Sequence, residues 1–162
     1  MNRKNSLPKT TNISLDEYFK TLSISIDQNY YVELSKRNPE MVFFPKIWQN
    51  TLCLSLDEIN IIKRLRAAGR EIRVYGDDKS KIEIIELRHA QIILDLGIIL
   101  VKDVLPTLGP MLLDYIKSHI KGREKEAEVK LKYYDLRNGQ LVEFEGPAET
   151  AEKLIRKLGK LN

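Results

Sequence analysis

The sequence predicts an α+β protein, with a mixed or antiparallel sheet packed on a central pair of apolar helices. Three observations lead to this class. The tetrapeptide Ser-Leu-Asp-Glu begins at Ser14 and again at Ser55, and it has the form of a capping box that starts a helix. The stretch 88–122 is the most apolar part of the chain and has helical spacing. Near the C-terminus, two alternating segments flank Asn138-Gly139, a pair that favours a hairpin turn.

The length of the chain indicates one domain. Its 162 residues suffice for one well-buried core but not for two domains of ordinary size. Residues 1–13 are polar and lack a hydrophobic period, so we expect them to form a flexible N-terminal arm. Residues 14–162 are then a single α+β domain. Within it, residues 88–160 are expected to form a helix-hairpin-helix unit.

The N-terminal half alternates between helix and strand signals. The first capping box predicts a helix from Ser14 to about Leu22. Residues 23–27 alternate and residues 30–34 are rich in β-prone side chains, so a hairpin is expected there. The apolar run 41–44 follows one proline and is ended by another.

The second capping box lies between a predicted strand and a predicted helix. The strand covers residues 51–54, and the helix begins at Leu56 and is ended by Gly69. Two further strands are expected at 71–75 and 81–87, joined by a polar turn.

The C-terminal half contains the apolar stretch and the hairpin. The apolar stretch is expected to form two helices, about 86–105 and 109–121, hinged at Pro106 to Pro110. Charged residues interrupt it, which disfavours a bilayer-spanning helix. A hairpin over 129–145 then precedes a final helix that opens after Gly146-Pro147.

The composition is that of an ordinary globular protein, with 43% hydrophobic and 31% charged residues. The 27 basic residues exceed the 23 acidic ones by four, which favours anionic partners only weakly. The single cysteine, Cys53, excludes an intramolecular disulfide. The opening residues lack the apolar segment of a secretory signal, so the protein is expected to be cytoplasmic.

The sequence contains no pattern typical of catalysis. His89, His119 and Cys53 do not have the spacing of a zinc site or of a nucleophilic pair. An acidic cluster within 77–86 could hold a divalent cation, although a polar turn explains it more simply. No glycine-rich phosphate loop is present. We therefore expect a protein that is not an enzyme, without catalytic residues, cofactor or bound metal, and we find no indication of a small-molecule substrate.

Two kinds of partner remain. The apolar second helix predicts docking to a protein partner or formation of a homo-oligomer, whereas Asp114 within it disfavours a membrane surface. The residues predicted to make this contact are Leu105, Leu108, Met111, Leu112 and Tyr115. The alternative is nucleic-acid binding by the basic segment 63–81. Its phosphate contacts would be Lys63, Arg64, Arg66, Arg70 and Arg73.

The C-terminal half also resembles a known family. A glycine-containing apolar segment over 92–116, predicted to be helical, is followed by a basic link over 117–125, the hairpin EVKLKYYDLRNGQLVEFEGP and the helix AETAEKLIRKL. This order is similar to the effector-associated constant component domains of bacterial conflict systems, and the resemblance covers residues 90–158. It implies a non-enzymatic accessory or adaptor role in a bacterial defence system, and it transfers no catalytic residue.

Overall fold

The computed structural model of the protein describes residues 7–27, 29–76, 81–85, 91–101, 103–120 and 127–160. Strands and helices are mixed along these residues, which confirms the predicted α+β class. The strands are β1 (Lys9–Asn12), β2 (Met41–Phe43), β3 (Lys46–Trp48), β4 (Thr51–Ser55), β5 (Ile72–Val74), β6 (Glu83–Ile85), β7 (Gln91–Ile99), β8 (Glu128–Asp135) and β9 (Gln140–Pro147). The helices are α1 (Leu15–Lys20), α2 (Tyr30–Arg37), α3 (Leu56–Ala67), α4 (Val104–Ile120) and α5 (Ala148–Leu158).

The described strands form two mixed sheets. The main sheet has six strands in the order β1-β9-β8-β7-β2-β5. The pairs β7/β8 and β2/β5 are parallel, and the other neighbours are antiparallel. The small sheet has three strands in the order β3-β4-β6, with β3 antiparallel and β6 parallel to β4.

Apolar side chains cover both faces of the main sheet. The first core packs α3, α4 and α5 on one face and includes Leu65, Leu112 and Ile155. The second core packs α1 and α2 on the other face and includes Tyr18 and Leu34. Where both faces of the sheet are buried, as along β2, the strand is apolar throughout. The strand β8 instead alternates in its first half, because Lys130 lies on a part of the second face that is exposed.

Local signals located several elements correctly. In both capping boxes the serine hydroxyl accepts a hydrogen bond from the backbone N–H of the glutamate, Glu17 in the first and Glu58 in the second, at 3.1 Å each. The helices α1 and α3 begin where these boxes predict. The C-terminal hairpin and the helix after it are also confirmed, as β8, β9 and α5.

The first central helix, predicted over 86–105, is wrong. Residues 91–99 form β7, the strand that joins β8 to β2 in the main sheet. Residues 96–99 are buried on both faces, and Ile93 is half-buried on the second face, so the apolar residues do not show the alternation that normally identifies a strand. Its isoleucines favour strand over helix, since their branched Cβ is stiff in a helix. Residues 86–90 lie outside the described residues.

A bulge at Gly97 divides β7 into two parts. Between Asp95 and Ile98 the strand contains one more residue than the facing segment of β8. As a result Leu96 contributes to the first core and Ile98 to the second, which reverses the alternation. The residue at 97 must be glycine, because φ is +66° and a Cβ would lie 2.0 Å from the carbonyl oxygen of Val42.

The predicted hinge between two helices is also wrong. One continuous helix, α4, runs from Val104 to Ile120 and contains both prolines. Pro106 lies in the first turn, where the missing N–H has no helical partner in any case. Pro110 removes one backbone donor, but the helix continues because its apolar side chains are buried in the first core.

Two N-terminal predictions need correction. Residues 30–37 form α2 rather than a strand, because one face of the segment is buried and Leu34 joins the second core. The arm predicted to be flexible includes β1, whose residues 9–12 pair with β9. The backbone hydrogen bonds to the edge strand β9 offset the entropy cost of ordering these residues. Their polar side chains could not offset this cost by apolar burial. Residues 1–6 lie outside the described residues.

Candidate functional site

The apolar face predicted on α4 is part of the core. Leu108, Leu112 and Tyr115 are buried in the first core, so the prediction of an exposed contact surface is wrong for them. Leu105 and Met111 are half-buried and pack against the same core. The cause is β7, because a strand in place of the first helix supplies the sheet on which α4 packs.

Two of the predicted phosphate-binding residues make contacts within the protein. The guanidinium of Arg66 donates from Nε and Nη2 to the carbonyl oxygen of Ile72, at 3.3 and 3.0 Å. Arg70 forms an ion pair with Glu40 at 2.9 Å and donates to the hydroxyl of Thr107. These contacts join α3 and the start of α4 to the main sheet.

The other three basic residues lie on different sides of the molecule. Lys63 and Arg64 are exposed on α3, and Arg64 lies 5.3 Å from the centroid of the Tyr115 ring. Arg73 lies on β5 between two residues of the first core, so alternation along the strand directs it to the opposite face of the sheet. The structure does not bring these residues together on one surface.

A polar cluster occupies the junction of the two sheets. Lys46 of β3 forms an ion pair with Asp95 of β7 at 3.3 Å, between a half-exposed ammonium and a mostly buried carboxylate. The first part of β7 pairs with β8 on one side. On its other side no described strand pairs with it, because β2 pairs only with residues 98 and 99. The ion pair lies where the small sheet meets this unpaired side.

Glu58 is the most unusual member of this polar cluster. Its side chain is only 3% exposed, and Oε1 accepts a hydrogen bond from the Ser55 hydroxyl at 3.1 Å. The other oxygen, Oε2, is buried and has no hydrogen-bond partner. Burial, together with the charge of Asp95, raises the pKa of Glu58 to about 8, against the opposing effect of Lys46. The carboxyl group is therefore neutral at neutral pH.

Tyr18 completes the polar cluster from α1. Its ring stacks on Tyr134 at a centroid distance of 4.8 Å, and its buried hydroxyl has no hydrogen-bond partner. Burial raises the pKa of this hydroxyl, and the charges of Asp95 and Glu58 add to the effect. The cluster thus combines a neutral acid, a neutral phenol and one ion pair at the junction of the two sheets, and two of its buried oxygens have no hydrogen-bond partner.

Sequence reasoning did not identify the polar cluster. In the sequence, Glu58 is the last residue of the second capping box, and Asp95 is one of the charged residues that interrupt the apolar stretch. A charge within a run of β-branched residues was the available signal, because a charged residue is buried only when it has a partner. The partner, Lys46, is 49 residues away by its number in the sequence.

Exposed apolar side chains concentrate on the small sheet. Ile47 is 49% exposed, and Trp48 and Ile84 are each 56% exposed. Ile47 is opposite Leu52 and Ile84 is opposite Leu54 across β4, so both project from one face of the sheet. Trp48 projects from the other face, at the end of the β3–β4 hairpin and on an edge strand, so a partner that contacts all three side chains must reach around this edge. We call Ile47, Trp48 and Ile84 the small-sheet surface.

No family model, curated protein or solved structure matches this chain.

The described residues were also compared with the requirements of a metal site and of a membrane-spanning helix. These residues contain no group of three or more His, Cys, Asp or Glu side chains arranged to hold a metal ion. None of the described helices has the length and apolar character needed to cross a bilayer. The acidic pair at 77 and 78, together with Glu86 and His89, lies outside the described residues.

Proposed function

We propose that this protein is a non-enzymatic accessory protein that binds a protein partner through the small-sheet surface. The exposure of Ile47, Trp48 and Ile84 carries the proposal. Apolar side chains grouped on the surface of a soluble domain usually mark a contact with another protein. Tryptophan is also among the residues that contribute most to binding energy at interfaces.

Most of the exposed large hydrophobic side chains lie in or next to the small sheet. Among the described residues, six large hydrophobic side chains are exposed: Leu7, Val32, Ile47, Trp48, Leu56 and Ile84. Four of them belong to the small sheet or, in the case of Leu56, directly follow β4. The main sheet contributes none of the six, because its apolar side chains belong to the two cores and its exposed side chains are polar.

The geometry favours a transient partner over a permanent dimer. Obligate homodimers bury large and mainly apolar interfaces, roughly 2,000 Å² or more. Three side chains that are each about half exposed provide much less area than this. Among the described strands β6 pairs only with β4, and an extended segment of a partner could pair with its other edge. We therefore infer a partner that presents a short apolar segment.

The resemblance of the C-terminal half supplies a cellular setting. Effector-associated constant component domains are accessory modules, so the proposed role is that of an adaptor in a bacterial defence system. In this role β8, β9 and α5 serve as scaffold, because their apolar side chains belong to the first core. The contact surface is then on the opposite part of the chain, in β3 and β6.

Nucleic-acid binding is the second candidate function, and its support is the net charge of +4. The distribution of the basic side chains weighs against it, because Arg66 and Arg70 are engaged within the protein. A salt titration separates the two functions. Binding to phosphates weakens steeply as salt increases, whereas apolar association does not.

The experiment compares apolar-to-polar variants of equal exposure. Trp48→Ser and Ile84→Thr remove two residues of the small-sheet surface, and Val32→Thr is the matched control, since Val32 is 50% exposed on α2. Each protein is used for affinity capture from its native cells. A captured protein is then purified and titrated against the parent while the fluorescence of Trp48, the single tryptophan, is recorded.

The proposal predicts a partner retained by Val32→Thr and lost by Trp48→Ser and Ile84→Thr. It also predicts a blue shift of the tryptophan emission on binding, because the indole leaves water. A partner retained equally by all three variants would overturn the proposal. So would light scattering that shows a stable homodimer lost in Trp48→Ser, since the surface would then serve self-association.

A further inference from the structure

A groove lies at one corner of the main sheet, away from the small-sheet surface. It forms where the helical layer ends, between the start of α4 and the last turn of α5. Its volume is about 510 Å³, within the range of ligand sites in proteins. The aliphatic lining consists of Pro8, Leu105, Val142, Leu154 and Leu158. Three of these, the leucines, are only partly buried and pack against the edge of the first core.

Two cations lie at the rim of this groove. Arg137 belongs to the β8–β9 turn and Lys157 to the last turn of α5. The ion pairs found among the described residues, Lys46–Asp95 and Arg70–Glu40, involve neither of them. The rim therefore carries two positive charges that have no acidic partner in the described part of the protein.

One carboxylate, that of Asp135, also lines the groove, and the turn itself satisfies it. Oδ1 accepts the backbone N–H groups of Arg137 at 3.1 Å and Asn138 at 3.4 Å. Oδ2 accepts from Nδ2 of Asn138 at 2.7 Å. Asp135 is thus engaged by three donors and lowers the rim charge from two to one without reversing its sign.

We propose that this groove binds an amphipathic carboxylate, that is, an apolar chain of medium length that ends in one carboxylate group. The leucine wall would take the chain, and Arg137 and Lys157 would hold the carboxylate by charge-assisted hydrogen bonds. Tyr133, which also lines the groove, adds a hydroxyl donor. This hydroxyl remains protonated at neutral pH, because burial and the charge of Asp135 raise its pKa to about 12.

The chemistry of the groove distinguishes this ligand from simpler ones. A neutral apolar molecule would leave the two cations without a partner. A small carboxylate such as butanoate would leave most of the leucine wall exposed to water. Since both contributions are needed, affinity should depend on chain length and on the charged group together.

The test is calorimetric titration of the full chain with sodium decanoate below its micelle concentration. Decanol and sodium butanoate, matched for the chain and for the charge respectively, are titrated in parallel. A short peptide with an apolar C-terminal residue and a free carboxylate forms the fourth arm. We expect saturable binding of decanoate at one site. Decanol should bind at least about tenfold more weakly because it lacks the charge-assisted contact. Butanoate should also bind at least about tenfold more weakly because it buries much less apolar area.

Two surface variants locate the site. Lys157→Gln and Arg137→Gln should each weaken decanoate binding by about tenfold. The matched control is Lys153→Gln, one turn earlier on α5, where the exposed side chain does not line the groove. All three changes are on the surface and leave the core intact.

Several results would overturn the proposal. These are the absence of saturable decanoate binding, equal affinity for decanoate and decanol, and equal effects of Lys157→Gln and Lys153→Gln. Saturable binding of the peptide alone would assign the groove to a protein ligand and would also contradict it. None of these results depends on the small-sheet surface, so failure here leaves the proposed function untouched.

Discussion

The two sheets of this protein differ in what covers them. Helices pack on both faces of the main sheet, and its strand β7 contributes four residues to the first core and one to the second. The small sheet has short strands, and Ile47 and Ile84 remain about half exposed on one of its faces. Both sheets are built from apolar, β-branched segments, so their sequences look alike.

This difference assigns separate tasks to the two regions. A residue with apolar contacts on all sides contributes to stability, whereas an exposed apolar residue contributes little until another molecule covers it. In the proposed function, the main sheet is accordingly the scaffold and the small sheet is the contact region. The polar cluster that contains Lys46, Glu58 and Asp95 lies between them. Protonation of Glu58 in this cluster affects the stability of the fold.

The largest effect is expected at the bulge of β7. Gly97→Ala should lower the free energy of unfolding by about 4 kcal/mol, because the new Cβ meets the carbonyl oxygen of Val42 and φ is positive. Gly69→Ala is the control, since its φ is also positive but no atom lies within 4 Å of the new Cβ. We expect a loss of about 1 kcal/mol there. Urea unfolding measures both, and equal losses would show that the close approach at 97 is not a constraint.

The next effect contrasts a leucine of the main sheet with an isoleucine of the small sheet. Leu96→Ala should cost about 3 kcal/mol, because it leaves a cavity in the first core. Ile84→Ala should change stability by less than about 0.5 kcal/mol, because the side chain is 56% exposed. Circular dichroism during chemical denaturation measures the two. An equal loss for Ile84→Ala would place the small sheet in the folding core.

The polar cluster predicts a dependence of stability on pH. The folded-state pKa of Glu58 is raised from 4.5 to about 8, so between these values the folded state binds a proton that the unfolded state does not. The free energy of unfolding should therefore fall as pH rises, by about 2–3 kcal/mol from about pH 6 to pH 8. Stability from this group is complete at low pH and is lost as pH rises towards 8.

Glu58→Gln isolates this contribution. The amide imitates the neutral acid and does not ionise, so the variant should show a flatter profile and exceed the parent in stability above about pH 8. Thermal unfolding of both proteins across the pH range measures the difference. Parallel profiles for parent and variant would refute the assignment of the pH dependence to Glu58.

The smallest effect on stability is expected at the small-sheet surface. Trp48→Ser should change the free energy of unfolding by less than about 0.5 kcal/mol, because more than half of the side chain is already in water. The same variant should lose the protein partner. A large loss of stability would mean that Trp48 packs within the fold, and its loss of binding would then be a consequence of unfolding.

Local signals in the sequence located about half of the elements. The capping boxes at Ser14 and Ser55 define two helix starts because a serine hydroxyl bonds to the backbone three residues later, a contact that needs no tertiary structure. Asn138-Gly139 defines a turn for the same reason, and φ at Gly139 is +61°. The predictions of a helix over 91–99 and of a strand over 30–34 are wrong, since contacts with distant elements decide the conformation of both segments.

The contact region could not be predicted from local signals. Apolar residues at 47, 84 and 112 are similar in the sequence, and exposure distinguishes them only after the sheets have formed. The interpretation of 91–99 as a helix placed the apolar excess on α4. Once that segment is a strand, α4 is covered and the exposed apolar residues lie on β3 and β6 instead.

Site-specific photo-crosslinking tests the division between scaffold and contact region most directly. A photoreactive phenylalanine analogue is placed at Ile47 in one protein and at the equally exposed Val32 in another, and both are irradiated in the native cells. We predict a discrete covalent adduct of a second protein at position 47 that disappears when Ile84→Thr is added, and no such adduct at position 32. Adducts of equal yield at both positions, or no adduct at 47, would contradict the claim that the small sheet is the surface on which a partner binds.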